Sequence, residues 1–423
     1  MDDNAAMGRF RSGMQIPPIL AALRRHRTAT VLIVLQIALT LAVVSNALFI
    51  VRTRVVHLSR PTGTDEAHIF VIRNGWIGNP AVQQVDARMR TDLVALRGLP
   101  GVRDAFASEA YPLEGGWGLL ARVRHQPAQT TRPALAIVYF ADQHALDTFG
   151  TRLVEGRNFR ADEIANRGPY DKLAAATIIV TRDLANKLFP HDSALGRTVY
   201  LGDGPSVIVG IVDRLQGPYA GSTTRTIDED SILVPARLAD PAGTVYIVRT
   251  QPGQLDVLMR AAPAALLAQD RLRTIDPDGG VVSLIQARAQ GYATDRGVAI
   301  MMAAVCVLLL LATAGGVVGL SSFWVSQRRR QIGVRRALGA TRGDILRYFQ
   351  TENALIVGIG VVLGVALGIA ANLLLMTHYE LPRMPLWMLG AGALLLWLLG
   401  QLAVFGPARH AAAVPPVEAT RSV

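Results

Sequence analysis

The densest run of side chains that could do chemistry is RRRQIGVRRALGATRGDILRYFQTEN, residues 328–353. Arg328, Arg329, Arg330, Arg335, Arg336, Arg342 and Arg347 within it could bind an acidic protein surface or an anionic lipid face. The local pattern reads as helix, break, helix. Gln331 to Leu338 suits a short helix carrying Ile332, Ala337 and Leu338. Gly339 can take the left-handed position that ends it, and Thr341 with Asp344 three residues later resembles a capping box for the next helix. The candidate docking set is therefore Gln331, Ile332, Arg335, Arg336, Ala337, Leu338, Gly339, Ala340, Thr341, Arg342, Asp344 and Ile345. A short rigid helix bearing cations suits a force-receiving contact with a protein partner. A helix lying on anionic lipid has the same composition, and sequence physics leaves both readings open.

Other chemistries find little support. A P-loop needs a lysine after its second glycine, and the only lysines, Lys172 and Lys187, follow no glycine. There is no H-E-x-x-H, C-x-x-C or G-x-S-x-G. Glu155, Arg157 and Asp162 lack a His, Cys or Ser partner at useful spacing and read as a surface ion-pair cluster. No catalytic, cofactor or metal residue is expected in this chain, so a membrane-anchored enzyme is disfavoured. The single cysteine, Cys306, sits in an apolar run and can form no internal disulfide.

These side chains must be held by elements of an unusually apolar chain, 51% hydrophobic over 423 residues. Roughly 20 uncharged apolar residues suffice to cross a bilayer as a helix. Four runs meet that length: 29–51, 298–325, 354–376 and 386–405, none containing Asp, Glu, Lys, Arg or His. The first is too long for a typical signal-peptide core and lacks an Ala-x-Ala-like exit, so it reads as a retained anchor. The formal net charge of +11 would raise nucleic acid as a partner, but the cations cluster beside apolar runs, and no nucleic acid is expected. The arginine bias itself reads as base composition.

Arginine in short loops resists translocation, so the loop 326–353 is expected to be cytoplasmic. The short loop 377–385 then lies outside, and alternation places the segment 1–28 and the tail 406–423 in the cytoplasm. Residues 52–297 form one large domain on the far side of the membrane. Within it, HIFVIR, ALAIVYF, ATIIV, SVIVGIV and TVYIVRT read as strands of a mixed α/β domain. Two strand-helix-strand units, about 64–150 and 236–290, are expected to flank an inserted β-rich lobe of about 151–235 with a hairpin near Leu201 to Pro205. Glycines 115, 116, 118, 156 and 196 suit backbone turns. Inside the membrane, Gln36 and Thr40 lie one turn apart, and Gly360, Gly364 and Gly368 make a small-residue face. Both groups suit helix packing better than a substrate path, because ion or proton paths normally leave intramembrane charges.

The strings EAYPLEGGWG, FGTRLVEGRNFRADE and IIVTRDLANKLFPHDSALGRTVYLGDGPSVIVGIV, in that order, resemble the periplasmic core domain of MacB-type permeases. The run 328–353 with the tail GPARHAAAVPPVEATR is similar to the FtsX-like permease domain, in which this loop forms a coupling helix that docks on an ATPase subunit. Gln331 departs from that pattern, where an acidic residue usually precedes the Ile-Gly pair. MacB-type proteins carry a nucleotide-binding domain ahead of the first span. Only about 28 residues precede it here.

The resemblance implies an inner-membrane, mechanotransmission-type ABC permease working as a dimer with a second copy or paralogue. A separate ATPase would bind the ATP and Mg, and a periplasmic adaptor and outer-membrane channel could serve efflux. ATP-driven regulation of a cell-wall partner is the alternative implied by other members. A signalling receptor would need an output domain after residue 405.

Overall fold

A computed structural model describes residues 27–115, 118–127, 129–130, 132–202, 204–219, 227–337, 339–379 and 383–413. In chain order the elements begin with helix α1 (Arg27–Leu58), β1 (Ile69–Trp76), α2 (Val82–Arg97), β2 (Val102–Ser108), β3 (Leu119–Arg124), β4 (Ala134–Ala141) and α3 (Ala145–Phe149). There follow β5 (Leu153–Gly156), β6 (Ala165–Arg167), β7 (Thr177–Thr181), α4 (Arg182–Leu188), β8 (Thr198–Leu201), β9 (Gly204–Val212), β10 (Ser231–Leu238) and β11 (Thr244–Thr250). Last come α5 (Leu255–Gln269), β12 (Arg273–Ile275), β13 (Val281–Ser283), α6 (Leu284–Gly291), α7 (Ala293–Gln327), α8 (Arg329–Ala337), α9 (Arg342–Tyr379) and α10 (Leu386–Ala413). The chain forms two compact units, residues 58–295 and the helical remainder.

Four helices of the helical unit are long and apolar enough to cross a membrane: α1, α7, α9 and α10. A helix satisfies its own backbone hydrogen bonds, which lipid cannot do for it. Of the four, α1 is the most enclosed and α7 the least. Leu308 and Leu311 of α7 are each 64% exposed, a face for lipid or for another protein.

In the large domain, β12-β1-β11-β2 form an antiparallel sheet, with β13 also pairing β1. Each of the connections β1-α2-β2 and β11-α5-β12 skips over one intervening strand, the split βαβ arrangement. Side chains alternate across a strand, so the apolar run of β1 serves two cores. Phe70 and Ile72 pack with Val85, Met89 and Leu93 of α2 and Leu258 and Leu266 of α5. Ile69 and Val71 pack on the other face with Ile137, Tyr139, Ile179 and Leu233 of the second lobe.

In that second lobe the pairing runs β4-β3-β8-β9-β7-β10 and then returns from β10 to β4, so six strands close into a barrel. Closure removes the free edges that an open sheet exposes. Val123, Val138, Phe140, Ile178, Val180, Val199 and Ile232 fill its interior. The hairpin β8-β9 pairs Leu201 with Gly204.

The structure corrects the expected limits of the insertion. β3 and β4 belong to the barrel, so the lobe opens at Leu119 and not near 151. β4 is apolar on both faces because it is the wall between the barrel interior and the core shared with the first sheet. The expected ion-pair cluster is also rearranged. Arg157 makes two hydrogen bonds to Glu163, at 2.7 and 2.8 Å, while Glu155 accepts one from Ser193 Oγ. The Arg157 guanidinium holds the Glu163 carboxyl down at about 2. Gly156, with φ +78°, has no room for a Cβ, which would lie 2.2 Å from the Val209 carbonyl oxygen. Gly116 lies outside the described residues.

Glu109, just after β2, sits against the barrel wall. Its Oε2 accepts from the Phe140 N–H and the Ser108 hydroxyl, each at 3.3 Å, and its Oε1 is buried with no partner among the described residues. Burial pushes this carboxyl up to about 8. The folded chain then holds a proton that the unfolded chain has lost between pH about 4.5 and 8, so stability falls as pH rises through that window. Glu109→Gln is expected to remove this slope and to stabilise the domain by on the order of 4 kcal/mol above the window. Denaturant titrations of both proteins at mildly acidic and mildly alkaline pH check it. A gain that does not grow with pH would refute it.

Candidate functional site

The loop between the second and third spans is built from α8 and the start of α9. Arg328 is the single turn residue between α7 and α8. Its backbone N–H donates to the Trp324 carbonyl at 3.1 Å, and the Ile332 N–H donates to the Arg328 carbonyl at 3.0 Å. Helical hydrogen bonding therefore carries across the junction. α8 stops because Gly339 takes φ +97°. The Ala340 N–H then reaches back to the Arg335 carbonyl at 3.0 Å, the closing bond of a Schellman motif.

α9 starts with a reciprocal cap. The Asp344 N–H donates to Thr341 Oγ1 at 3.2 Å, and the Thr341 N–H donates to Asp344 Oδ2 at 3.0 Å. Such caps satisfy orphan amides at a helix start and contribute about 1 kcal/mol.

The two faces of this segment differ. Ile332 and Ile345 are 6% and 5% exposed and pack with Phe349, Trp324, Val404 and Ala408 in the core of the helical unit. That corrects their place in the candidate docking set: Ile332 of α8 and Ile345 of α9 both face the helical core, away from the exposed residues of the segment. Gln331, Val334, Arg335, Ala337, Gly339, Thr341, Arg342 and Asp344 are exposed, and Ala340 is half-buried. The Arg335 guanidinium stacks 4.7 Å from the Tyr348 ring centroid, which fixes its direction. The backbone of Arg336 lies in α8; its side chain, and all of Leu338, lie outside the described residues.

Sequence reasoning missed four contributors: the exposed apolar Val334, the Tyr348 ring, Phe349, and the ion pair of Arg328 with Glu352. Glu352 did carry a signal, since an acid beside an apolar span demands a partner.

The intramembrane candidates meet on α1. Gln36 Nε2 donates to the Ala312 carbonyl of α7 at 3.1 Å, and the Thr40 and Thr313 hydroxyls lie 2.8 Å apart. Gly360, Gly364 and Gly368 of α9 turn toward α1. A Cβ would meet Ile37 Cβ at 2.9 Å from Gly360 and Leu41 Cβ at 2.8 Å from Gly364. From Gly368 it would meet Leu389 Cδ2 at 3.0 Å and Ala42 Cα at 3.6 Å. Asn46 adds a hydrogen bond to the Gly368 carbonyl at 3.2 Å.

One apolar helix, a large α/β domain, then three apolar helices with a capped cationic segment between the first two of those three: this arrangement is that of a polytopic membrane protein. Residues 30–275 match the MacB-like periplasmic core domain, and residues 303–416 match the FtsX-like permease C-terminal domain. The chain belongs to the MacB/FtsX-like family of ABC transporter permeases. It is 24% identical, over 99% of its length and 62% of the relative's, to the macrolide export ATP-binding/permease protein MacB of Chromobacterium violaceum. It is 24% identical to the uncharacterised ABC transporter permease YknZ of Bacillus subtilis, over 86% of each chain. The periplasmic region of MacB from Actinobacillus actinomycetemcomitans aligns at 12% identity with a TM-score of 0.33, over 56% of this chain and 97% of that one. The chain spans about three fifths of the length of the macrolide exporters it matches.

Proposed function

We propose that this chain is the non-catalytic membrane subunit of a mechanotransmission-type ABC transporter in the bacterial inner membrane. A separate ATPase subunit, holding ATP and Mg, docks on the segment 331–344 from the cytoplasm, where both termini also lie. Its motion passes through the spans to the large domain in the periplasm and drives export or extraction of a substrate there. The observation that carries this reading is the two-faced segment: α8, ended by Gly339, buries its Ile332 in one core with Ile345 and Phe349 of α9, while Val334 and Arg335 of α8 and Arg342 of α9 are presented outward. A helix resting on lipid needs no such buried contact.

A second permease copy or a paralogue is expected against the open face of α7, with lipid around the rest. A periplasmic adaptor and an outer-membrane channel would complete an efflux route. The MacB-like match over residues 30–275 favours export or extraction over regulation of a cell-wall partner.

Affinity capture from gently solubilised host membranes tests the docking. The tagged chain is expected to retain a protein that mass spectrometry identifies as an ABC ATPase. Arg335→Glu combined with Arg342→Glu should cut its recovery about tenfold or more by reversing the charge at the contact. Undiminished recovery would refute the docking address. A terminal tag reached by protease from the periplasmic side would refute the orientation.

A further inference from the structure

The Arg328 side chain is held by Glu352. Its Nη1 donates to both carboxylate oxygens of Glu352, at 2.8 and 3.1 Å. The two side chains are only 13% and 4% exposed. Exposed ion pairs contribute little and are screened by salt. A buried one is different in kind: neither charge can leave its partner without stranding the other in a poorly solvated place. The pair also sits at a special point of the chain. Arg328 is the one turn residue between α7 and α8, and Glu352 lies eleven residues into the chain from the cap of α9 at Thr341. Linking them closes a ring made of α8, the Gly339 turn and the first turns of α9. Ile332, Ile345 and Phe349 pack inside the same unit.

Resting on the reading of α8 as the docking helix, we infer that the Arg328–Glu352 pair is a strut that makes α8 and the adjoining ends of α7 and α9 one rigid lever. Both are positioning residues. Without the strut, α8 would pivot about Arg328 and Gly339 under load, and motion of the ATPase would be absorbed there. With it, a push on α8 moves the second and third spans together.

Distances are measured on the full chain alone in lipid nanodiscs, with Cys306→Ser and spin labels on the exposed positions Ala337→Cys and Arg347→Cys; turnover and exchange are measured on the unlabelled chain with its ATPase. Arg328→Gln with Glu352→Gln removes the pair without leaving a lone buried charge, so the fold is kept. The label-to-label distance distribution is expected to be narrow when Arg328 and Glu352 are both retained. It should be about twofold broader in the neutral pair, and narrow again in the charge swap Arg328→Glu with Glu352→Arg. ATP turnover should stay within about twofold, while the ATP-dependent change in hydrogen exchange of the large domain disappears in the neutral pair and returns in the swap. A neutral pair as narrow and as responsive as the unsubstituted protein would overturn the strut. Failure to recover the ATPase with the unsubstituted chain would instead count against the docking reading, which the distance widths do not measure.

Discussion

Arg273→Met is expected to destabilise the large domain by about 3–5 kcal/mol, a large share of any domain's net stability. Arg273 and Asp92 are each 1% exposed and meet in a two-point contact at 2.8 and 2.9 Å. Tyr246 donates its hydroxyl to the same carboxylate at 2.5 Å, and Arg273 also reaches Asn74 Oδ1 at 3.3 Å. The guanidinium lies over the Trp76 ring, 5.4 Å from its centroid. Removing the cation leaves a buried carboxylate with one neutral donor, and that stranded charge is the source of the loss. Adding Asp92→Leu to the variant is expected to restore most of the stability, because the isolated charge is then gone. Hydrogen exchange of peptides covering β1, β11 and β12 in the detergent-solubilised chain measures both. A double variant no better than the single one would show that packing of the guanidinium, and not the unpaired charge, holds the sheet.

Gly364→Ile is expected to disrupt the helical unit, at about 3 kcal/mol or more, because the clash is with atoms that cannot swing away. The first added carbon would lie 2.8 Å from Leu41 Cβ and 3.0 Å from the Ala38 carbonyl oxygen of α1. Helices in lipid gain little from hydrophobic association and depend on close backbone approach at small residues. α1 would have to withdraw from α9, and with it the hydrogen bond of Asn46 to the Gly368 carbonyl. The readout is the yield of monodisperse protein in detergent, with Gly358→Ile as control, since a Cβ at Gly358 meets nothing within 4 Å. Equal yields from the two variants would refute close packing at Gly364.

These two sites brace the two compact units separately. The large domain is braced by a buried pair between α2 and β12, and the spans by glycine contacts around α1. The motion-passing role proposed above would need such stiffness, since any compliant joint would absorb the displacement.

The parts of this architecture that are local in the chain are legible in the amino-acid sequence alone. A span is a run of about 20 apolar residues because each must bury its own stretch of helix in lipid, whatever its neighbours are. The end of α8 at Gly339 and the Thr341–Asp344 cap depend on residues within one turn of each other, so spacing alone exposes them. The tertiary structure decided the rest. It placed β3 and β4 in the barrel, gave Arg157 to Glu163, turned Ile332 and Ile345 inward, and joined Arg328 to Glu352 across the α8 turn. The alternation of a strand tells how many of its faces are buried but not which strand it will pair with. A charge likewise shows that it needs a partner without saying which one the fold will bring into contact. Local hydrogen bonds and transfer into lipid are written in neighbouring residues, whereas pairing between distant ones is settled only when the whole chain packs.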